Sequence, residues 1–180
     1  SAALSGITAP IRGIYKAYGN TSATGNFVSE IKNNTITLTS NLPYTSLVPL
    51  CGIYADGNGS AFATLNITGN LLLNSSIQMS TTNTAMYGIN TNSTIGVLNI
   101  NTNIVRGYSS TNGRATFCGI RVDAAVSNSL TMNNNSIGDA LGAAVTYSAS
   151  TAGILIGGIN NYGACPNVSI SNNNLQGFVE

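Results

Sequence analysis

The sequence predicts an all-β fold in which short parallel strands stack coil upon coil into a solenoid. Two different motifs each occur five times and alternate strictly along the chain. No segment carries apolar residues at helical spacing through a dozen residues, and the stretches between motifs are rich in Asn, Ser, Thr and Gly, which favour turns. Tandem units of 31 to 39 residues built from short strands and turns are typical of β-solenoids.

The first motif reads apolar-x-Gly-Ile, and its glycines are separated by 39, 36, 31 and 39 residues. Each copy alternates with period two, which is typical of a short, half-buried strand. We expect the glycine to lie at a corner, where the chain bends without a side chain to accommodate. We expect the apolar positions to form two interior rows, namely Ile11, Leu50, Met86, Phe117 and Ile156, and Ile14, Ile53, Ile89, Ile120 and Ile159.

The second motif reads apolar-x-apolar-x-x-Asn, with another apolar residue shortly after the Asn. Asn tolerates left-handed backbone geometry, and its amide can bond to the Asn one coil along, ~4.8 Å away. The first copy is Ile36-Thr37-Leu38 followed by Asn41. The motif therefore predicts an internal ladder formed by Asn41, Asn70, Asn103, Asn135 and Asn173.

Together the motifs predict one domain of about five coils over residues 1–180, either complete or part of a longer chain or fibre. The repeat anchors lie near residues 11–42, 50–71, 86–104, 117–137 and 156–175.

These repeats resemble those of right-handed parallel β-helix proteins of the pectate-lyase-like superfamily. The phrase Val-Ser-Ile-Ser-Asn-Asn-Asn-Leu at residues 168–175 is also similar to repeats in secreted bacterial surface proteins. The resemblance implies a right-handed parallel β-helix with an Asn ladder after the second strand of each coil. It does not select an activity, because lyases, hydrolases, phage tailspikes and adhesins share that fold.

Composition excludes several functions. Only 6% of the residues are charged, the formal net charge is +1, and there is no His. Ser-His-Asp catalysis and His-ligated zinc are therefore impossible, and a basic surface for nucleic acid is absent. No apolar run approaches the ~20 residues that a membrane span needs. The abundance of Asn, Ser and Thr, 66 residues in all, together with so few charges, favours an extracellular or cell-surface location.

We expect no cofactor and no metal site. The segment beginning at Asp56 resembles a calcium loop, but its sixth position is Ala61 and its twelfth is Ile67, where such a loop needs Gly and Glu. Cys51 and Cys118 occupy the same motif position two coils apart, ~9.6 Å, which is too far for a disulfide. We interpret them as small packing groups, with a surface-reactive or partner-linked cysteine as the alternative.

Outward positions of the first strand form the only face with candidate chemistry. In β-helix lyases and hydrolases, acids and arginines cluster there. Asp56 and Asp123 would lie two coils apart, ~9–10 Å, near the upper limit for an inverting pair of carboxylates. We assign no catalytic residue and expect this face to be solvated surface. The alternative is a face that contacts a glycan, with Tyr15, Tyr54, Asp56, Arg121, Asp123 and Tyr162 as the candidate residues.

The sequence thus favours a non-catalytic, extracellular structural protein that builds a surface fibre, sheath or adhesive layer. It would form homo-oligomers or fibres by end-to-end stacking of its open coils, since bare strand edges invite another chain. The alternative is a β-helix that binds or cleaves carbohydrate, such as a polysaccharide lyase or hydrolase or a fragment of a phage tailspike. Polysaccharide is therefore a candidate partner, whereas nucleic acid and membrane insertion are not.

Overall fold

A computed structural model describes residues 9–17, 26–44, 49–58, 63–79, 84–111, 115–147 and 156–179 of the 180-residue chain. These residues form 19 strands and no helix. Every pair of neighbouring strands is parallel, and the chain winds through about four turns of a β-solenoid. The predicted all-β parallel solenoid is therefore confirmed.

Four strands make up a typical coil, and the third coil has three because one long strand runs through two sheets. The first coil contains β1 (Arg12–Ala17), β2 (Val28–Lys32), β3 (Thr35–Ile36) and β4 (Thr39–Tyr44). The second contains β5 (Leu50–Asn58), β6 (Thr64–Thr68), β7 (Leu71–Leu73) and β8 (Ser76–Met79). The third contains β9 (Thr84–Asn101), β10 (Ile104–Arg106) and β11 (Tyr108–Thr111).

The last two coils repeat the four-strand pattern. The fourth contains β12 (Ala115–Val122), β13 (Val126–Asn133), β14 (Ser136–Ile137) and β15 (Val145–Tyr147). The fifth contains β16 (Ile156–Asn161), β17 (Val168–Ser171), β18 (Asn174–Leu175) and β19 (Phe178–Val179).

Each sheet takes one strand from every coil, so the strands of one sheet stack along the solenoid axis. Sheet A is β1-β5-β9-β12-β16, and sheet B is β2-β6-β9-β13-β17; β9 bends from one into the other. Sheet C is β3-β7-β10-β14-β18, and sheet D is β4-β8-β11-β15-β19. The predicted repeat thus corresponds to five strand levels separated by about four turns.

The interior is filled by rows of apolar side chains, as predicted. In sheet A the rows pair in register, for example Leu50 with Met86 and Ile53 with Ile89. The residues of these rows in the second, third and fourth coils are fully buried, whereas Ile11, Ile14, Ile156 and Ile159 in the end coils are partly buried against the core. Burying one such side chain contributes about 1.5–3 kcal/mol, so the stacked rows are the main source of stability.

The Asn ladder exists and lies between sheets B and C. Its members are Asn34, Asn70, Asn103, Asn135 and Asn173, and each Nδ2 donates to the Oδ1 of the next at 3.0–3.1 Å. The residue before each of them has a positive φ, between 55° and 66°, and these residues are Asn33, Gly69, Thr102, Asn134 and Asn172. The left-handed backbone conformation therefore belongs to the residue before each ladder Asn, and the ladder Asn itself does not adopt it.

The prediction of Asn41 as the first ladder residue is wrong. Ser29 of β2 pairs with Leu65, so the first copy of the second motif carries a serine where the other copies carry an apolar residue. Ile36 belongs to β3 and pairs with Leu72, one sheet further along. Asn41 lies in β4, at an irregularity in the pairing with β8, and Asn34 takes the ladder position instead.

The prediction that the motif glycines turn a corner is also wrong. Gly52, Gly88 and Gly119 lie inside strands of sheet A, and none has a positive φ. A Cβ on Gly88 would lie 2.6 Å from Val105 of sheet C and 2.5 Å from the carbonyl oxygen of Gly119. These positions require glycine because sheets A and C approach too closely for any side chain.

Replacing Asn103 by Ala tests the ladder. The Asn103 Oδ1 accepts from the backbone N–H and the Nδ2 of Asn70, both at 3.0 Å, inside a corner where both residues are completely buried. Each buried donor left without an acceptor costs about 1–3 kcal/mol, so we expect unfolding in urea to show a loss on the order of 3 kcal/mol.

The matched control is Asn99→Ala in β9, four residues before Asn103. Asn99 donates to the Asn66 Oδ1 at 2.9 Å on the partly exposed outer face, where water can replace the lost partner. We expect a loss below about 1 kcal/mol there. Equal losses in the two variants would contradict a special role for the internal ladder.

Candidate functional site

The outer face of sheet A carries three rows of side chains, and it is the candidate site. Strand pairing places Tyr15, Tyr54, Asn90, Arg121 and Asn160 in one row. Ala17, Asp56 and Asn92 form the next row, which Asp123 and Tyr162 continue one residue beyond the paired ends of β12 and β16. The third row is Arg12, Cys51, Tyr87 and Cys118.

The glycine of the first motif places this third row on the outside. Leu50, Ile53 and Ala55 belong to the main core, and a Cβ on Gly52 would also point inward, against Leu72. Two consecutive inward positions, Gly52 and Ile53, interrupt the ordinary alternation of a strand. Cys51 therefore falls on the same face as Tyr54, with which it packs in a cluster separate from the main core.

At the N-terminal end of the face, one arginine caps a pair of tyrosines. The rings of Tyr15 and Tyr54 stack with centroids 5.9 Å apart and an interplanar angle of 16°. The Arg12 guanidinium carbon lies 4.6 Å from the centroid of Tyr15 and 4.1 Å from that of Tyr54, within the range of cation–π attraction. Tyr15 remains 52% exposed, so an aromatic surface faces the solvent here.

At the other end, Arg121 organises a second cluster. Its Nε donates to both carboxylate oxygens of Asp123, at 2.7 and 2.9 Å, and its Nη1 donates to the Tyr87 hydroxyl at 3.0 Å. Its guanidinium carbon also lies 4.9 Å from the ring centroid of Tyr162, which is 57% exposed. Burial alone would lower the pKa of Arg121, but the Asp123 hydrogen bond and nearby Tyr87 hold it above its usual value.

Between the two clusters the face is polar. The Asp56 carboxylate accepts from the backbone N–H of Gly57 at 2.8 Å and from the Asn92 Nδ2 at 3.3 Å. Asn90 is only 4% exposed, and its Oδ1 has no hydrogen-bond partner among the residues that the structure describes. Burial and the nearby Asp56 raise the pKa of Tyr54 above its usual value.

The structure brings the predicted glycan-contact residues together in two groups rather than one. Tyr15 and Tyr54 belong to the N-terminal cluster, and Arg121, Asp123 and Tyr162 to the C-terminal one. Asp56 is separated from Asp123 by the Asn92 position of the intervening coil. The two carboxylates therefore engage different neighbours, Asn92 and Arg121.

Sequence reasoning missed Arg12 and Tyr87 as members of the face. Both occupy the x position of the apolar-x-Gly-Ile motif, next to the glycine. The sequence does carry a signal for the outward direction of this position: the residue there is Arg, Cys, Tyr and Cys in the first four coils. A position that accepts arginine cannot face an apolar interior.

Cys51, Tyr87 and Cys118 stack directly beneath the exposed side chains. Cys51 is fully buried and Cys118 is 1% exposed, and each thiol lies within hydrogen-bond distance of the carbonyl two residues later. Burial raises the pKa of Cys51 far above its usual range and that of Cys118 to about 11. Both cysteines are free, and each packs against Tyr87.

The described segments offer neither a metal site nor a membrane-spanning helix. They contain no group of three or more His, Cys, Asp or Glu residues arranged to hold a metal ion. Among the same segments there is no helix with the length and apolar character to cross a membrane.

The fold and the outer face define the protein as a parallel β-solenoid with two arginine–tyrosine clusters on one sheet face. Comparison of the chain with protein-family models, curated proteins and solved structures finds no match.

Thiol reactivity tests the packing of the cysteines. Alkylation requires the thiolate, and the raised pKa values keep Cys51 and Cys118 protonated at pH 8 in the folded protein. We therefore expect iodoacetamide at pH 8 to modify only the half-buried Cys165. Mass spectrometry should find one modified cysteine in the native protein and three after denaturation; modification of Cys118 in the native state at that pH would contradict the packing.

Proposed function

We propose that the protein is a non-catalytic, extracellular structural β-helix that builds a fibre, sheath or adhesive layer at a cell surface by stacking its open coils end to end. The proposal includes membership of the right-handed, pectate-lyase-like β-helix proteins, which the continuous Asn ladder supports. The surface of the end coils supports the assembly, and the scarcity of charged residues supports the extracellular location.

The exposed interior rows of the fifth coil carry the proposal. Val168, Ile170, Leu175 and Phe178 are 38–49% exposed. Their partners in the fourth coil, Leu130, Met132, Ile137 and Val145, are completely buried. The difference arises because the fourth coil is covered by the fifth and the fifth is covered by nothing in the described structure.

Charge is scarce at this end. Residues 156–179 contain no charged side chain, and Glu180 follows them. Natural sheets protect exposed edges with lysine, proline or inward-pointing charges, which block pairing with another chain. An apolar, uncharged coil end therefore favours association.

The opposite end also presents apolar side chains around a recess. The first coil surrounds an open recess of about 330 Å³ that is lined by Gly13, Ile14, Ile36 and Leu38 together with the Asn34–Thr35 and Thr37 segments. Ile14 and Leu38 are only partly buried. A second coil end placed here would extend the same apolar rows that fill the interior.

A charge placed on the fifth coil tests assembly. Ile170→Glu puts a carboxylate into an apolar row at a side chain that is 49% exposed in the single molecule, so the fold should tolerate it. In a stacked assembly the same carboxylate would be buried without a partner, which costs several kcal/mol. We expect sedimentation velocity to show multimers or filaments of the parent chain and monomers of this variant.

Leu141→Glu is the matched control. Leu141 is 81% exposed in the connection between β14 and β15, on the side of the solenoid, so the same chemical change should leave assembly intact. A parent chain that stays strictly monomeric at high concentration would overturn the proposal, as would full assembly of Ile170→Glu.

The outer face of sheet A supports a second candidate function, the binding of polysaccharide. The exposed rings of Tyr15 and Tyr162 lie near the two ends of a face whose middle is lined by amide and carboxylate groups. Sugar rings present C–H faces that pack on aromatic rings and hydroxyls that bond to such polar groups. A cleaving enzyme is the less favoured form of this candidate, because Asp56 and Asp123 are held by different partners.

Tyrosine substitution tests the second candidate. We expect Tyr15→Ala and Tyr162→Ala each to weaken glycan-array binding about 5- to 10-fold, the effect of losing ~1 kcal/mol or somewhat more of ring stacking. Neither should produce a change in melting temperature comparable to that of a core substitution, since both rings are more than half exposed. Phe27→Ala, a ring 50% exposed just before β2, is the control that should leave binding unchanged; absence of glycan binding by the parent chain would remove this candidate.

A further inference from the structure

The Asn ladder has a direction along the solenoid axis. In each of its four steps the backbone N–H and the Nδ2 of one Asn donate to the Oδ1 of the Asn in the following coil, at 2.8–3.1 Å. No step runs the other way. The two ends of the ladder are therefore chemically different.

At the fifth coil the ladder ends in donors. The Asn173 Oδ1 accepts two bonds from Asn135, and the Asn173 Nδ2 donates one N–H to the carbonyl of Met132 at 2.7 Å. In every earlier coil the backbone N–H and one Nδ2 hydrogen of the ladder Asn bond to the next Asn. The same two donors of Asn173 have no acceptor within the described part of the chain.

At the first coil the ladder ends in an acceptor. The Asn34 Nδ2 donates to the Asn70 Oδ1 and to the carbonyl of Lys32 in its own coil. In every later coil the Oδ1 of the ladder Asn accepts two bonds from the Asn of the coil before. The Asn34 Oδ1 receives none from the residues that the structure describes. The equivalent amides in later coils also donate to a carbonyl of the coil before, such as that of Ile31 or Ile67.

We infer that the copies stack head to tail in one register, with the fifth coil of one chain against the first coil of the next and the ladder running unbroken across the joint. This rests on the proposed assembly and specifies its partner as a second copy of this chain. Asn173 of one copy would donate its backbone N–H and Nδ2 to the Asn34 Oδ1 of the next. The Asn34 Nδ2 would donate to the Ile170 carbonyl, which holds the position of Ile31 and Ile67 in the fifth coil.

The ladder disfavours the symmetric joints. Two fifth coils brought together would place the Asn173 donors opposite each other, and two first coils would place the Asn34 Oδ1 acceptors opposite each other, so these ladder groups would remain unpaired. The head-to-tail joint pairs them as they pair inside one copy. In this joint the interior rows also continue, with Ile170 against Ile31 and Leu175 against Ile36, and Gly158 meets Gly13 where sheets A and C approach most closely.

A disulfide across the joint tests direction and register together. Outward positions of sheet C stack as Thr35, Leu71, Ile104, Ser136 and Asn174. In the inferred joint Asn174 of one copy lies one strand spacing, ~4.8 Å, from Thr35 of the next, inside the Cα range for a disulfide. Within a single copy the two positions are four coils apart, ~19 Å, so a disulfide can form only between copies.

The experiment uses a chain carrying Thr35→Cys and Asn174→Cys in a Cys165→Ser background, because Cys51 and Cys118 are buried. Both introduced positions are exposed, and the serine hydroxyl can keep the bond of Cys165 to the Asn167 carbonyl. After mild oxidation we expect denaturing gels to show covalent dimers, trimers and longer species with loss of the monomer band, all reversed by reductant. Each single variant should remain monomeric on the same gel.

The register control moves one cysteine by two residues. A chain with Thr37→Cys in place of Thr35→Cys puts the Cα atoms ~8 Å apart in the inferred joint, beyond disulfide reach, so it should give at least tenfold less covalent product.

Three outcomes count against the joint, and sedimentation velocity on the unoxidised chains separates them. Association with Asn174→Cys linking to itself would establish a tail-to-tail joint. Association with equal linking by the Thr37 control would overturn the register. Absence of association would instead overturn the proposed assembly on which this inference rests.

Discussion

The side-chain amide of the ladder Asn is the group on which the rest of the solenoid depends. Its Oδ1 accepts two bonds and its Nδ2 donates two, so in the second, third and fourth coils every polar atom of a buried amide is paired. An amide displaced by one residue along the strand would leave several buried groups unpaired, at about 1–3 kcal/mol each. The ladder therefore fixes the register of adjacent coils, and the apolar rows of all four sheets align as a result.

Much of this architecture could be predicted because stacking repeats the same environment in each coil. The interior rows and four of the ladder residues follow from the two motifs. These motifs recur because each coil stacks in register on the coil before it. Asn34 was missed because Ser29, a half-buried residue of the first coil, replaces the apolar residue of the motif. The segment at Ile36, which was predicted as the first copy of this motif, begins seven residues after Ser29 and lies in the next sheet.

The glycines and the candidate site were harder to predict because they depend on contacts between sheets. Position 88 requires glycine because a side chain there would clash with Val105 of sheet C. Cys51 points outward because the two residues that follow it both point inward. The rows that contain Tyr54 and Asp56 were predicted, since alternation resumes beyond the glycine. The division of the face into two clusters depends on how Arg12 and Arg121 reach across coils, and no spacing rule encodes the path of a long side chain.

The long sequence separation between paired strands has a kinetic consequence. Every strand pairs with strands about one repeat, 31 to 39 residues, away along the chain, so an isolated coil closes a long loop before it gains any pairing energy. A coil that forms beside a finished one has a template for its strands, its apolar rows and its amide. Nucleation is then costly and elongation cheap, the same cooperativity that governs the helix–coil transition, with an entire coil in place of a single residue.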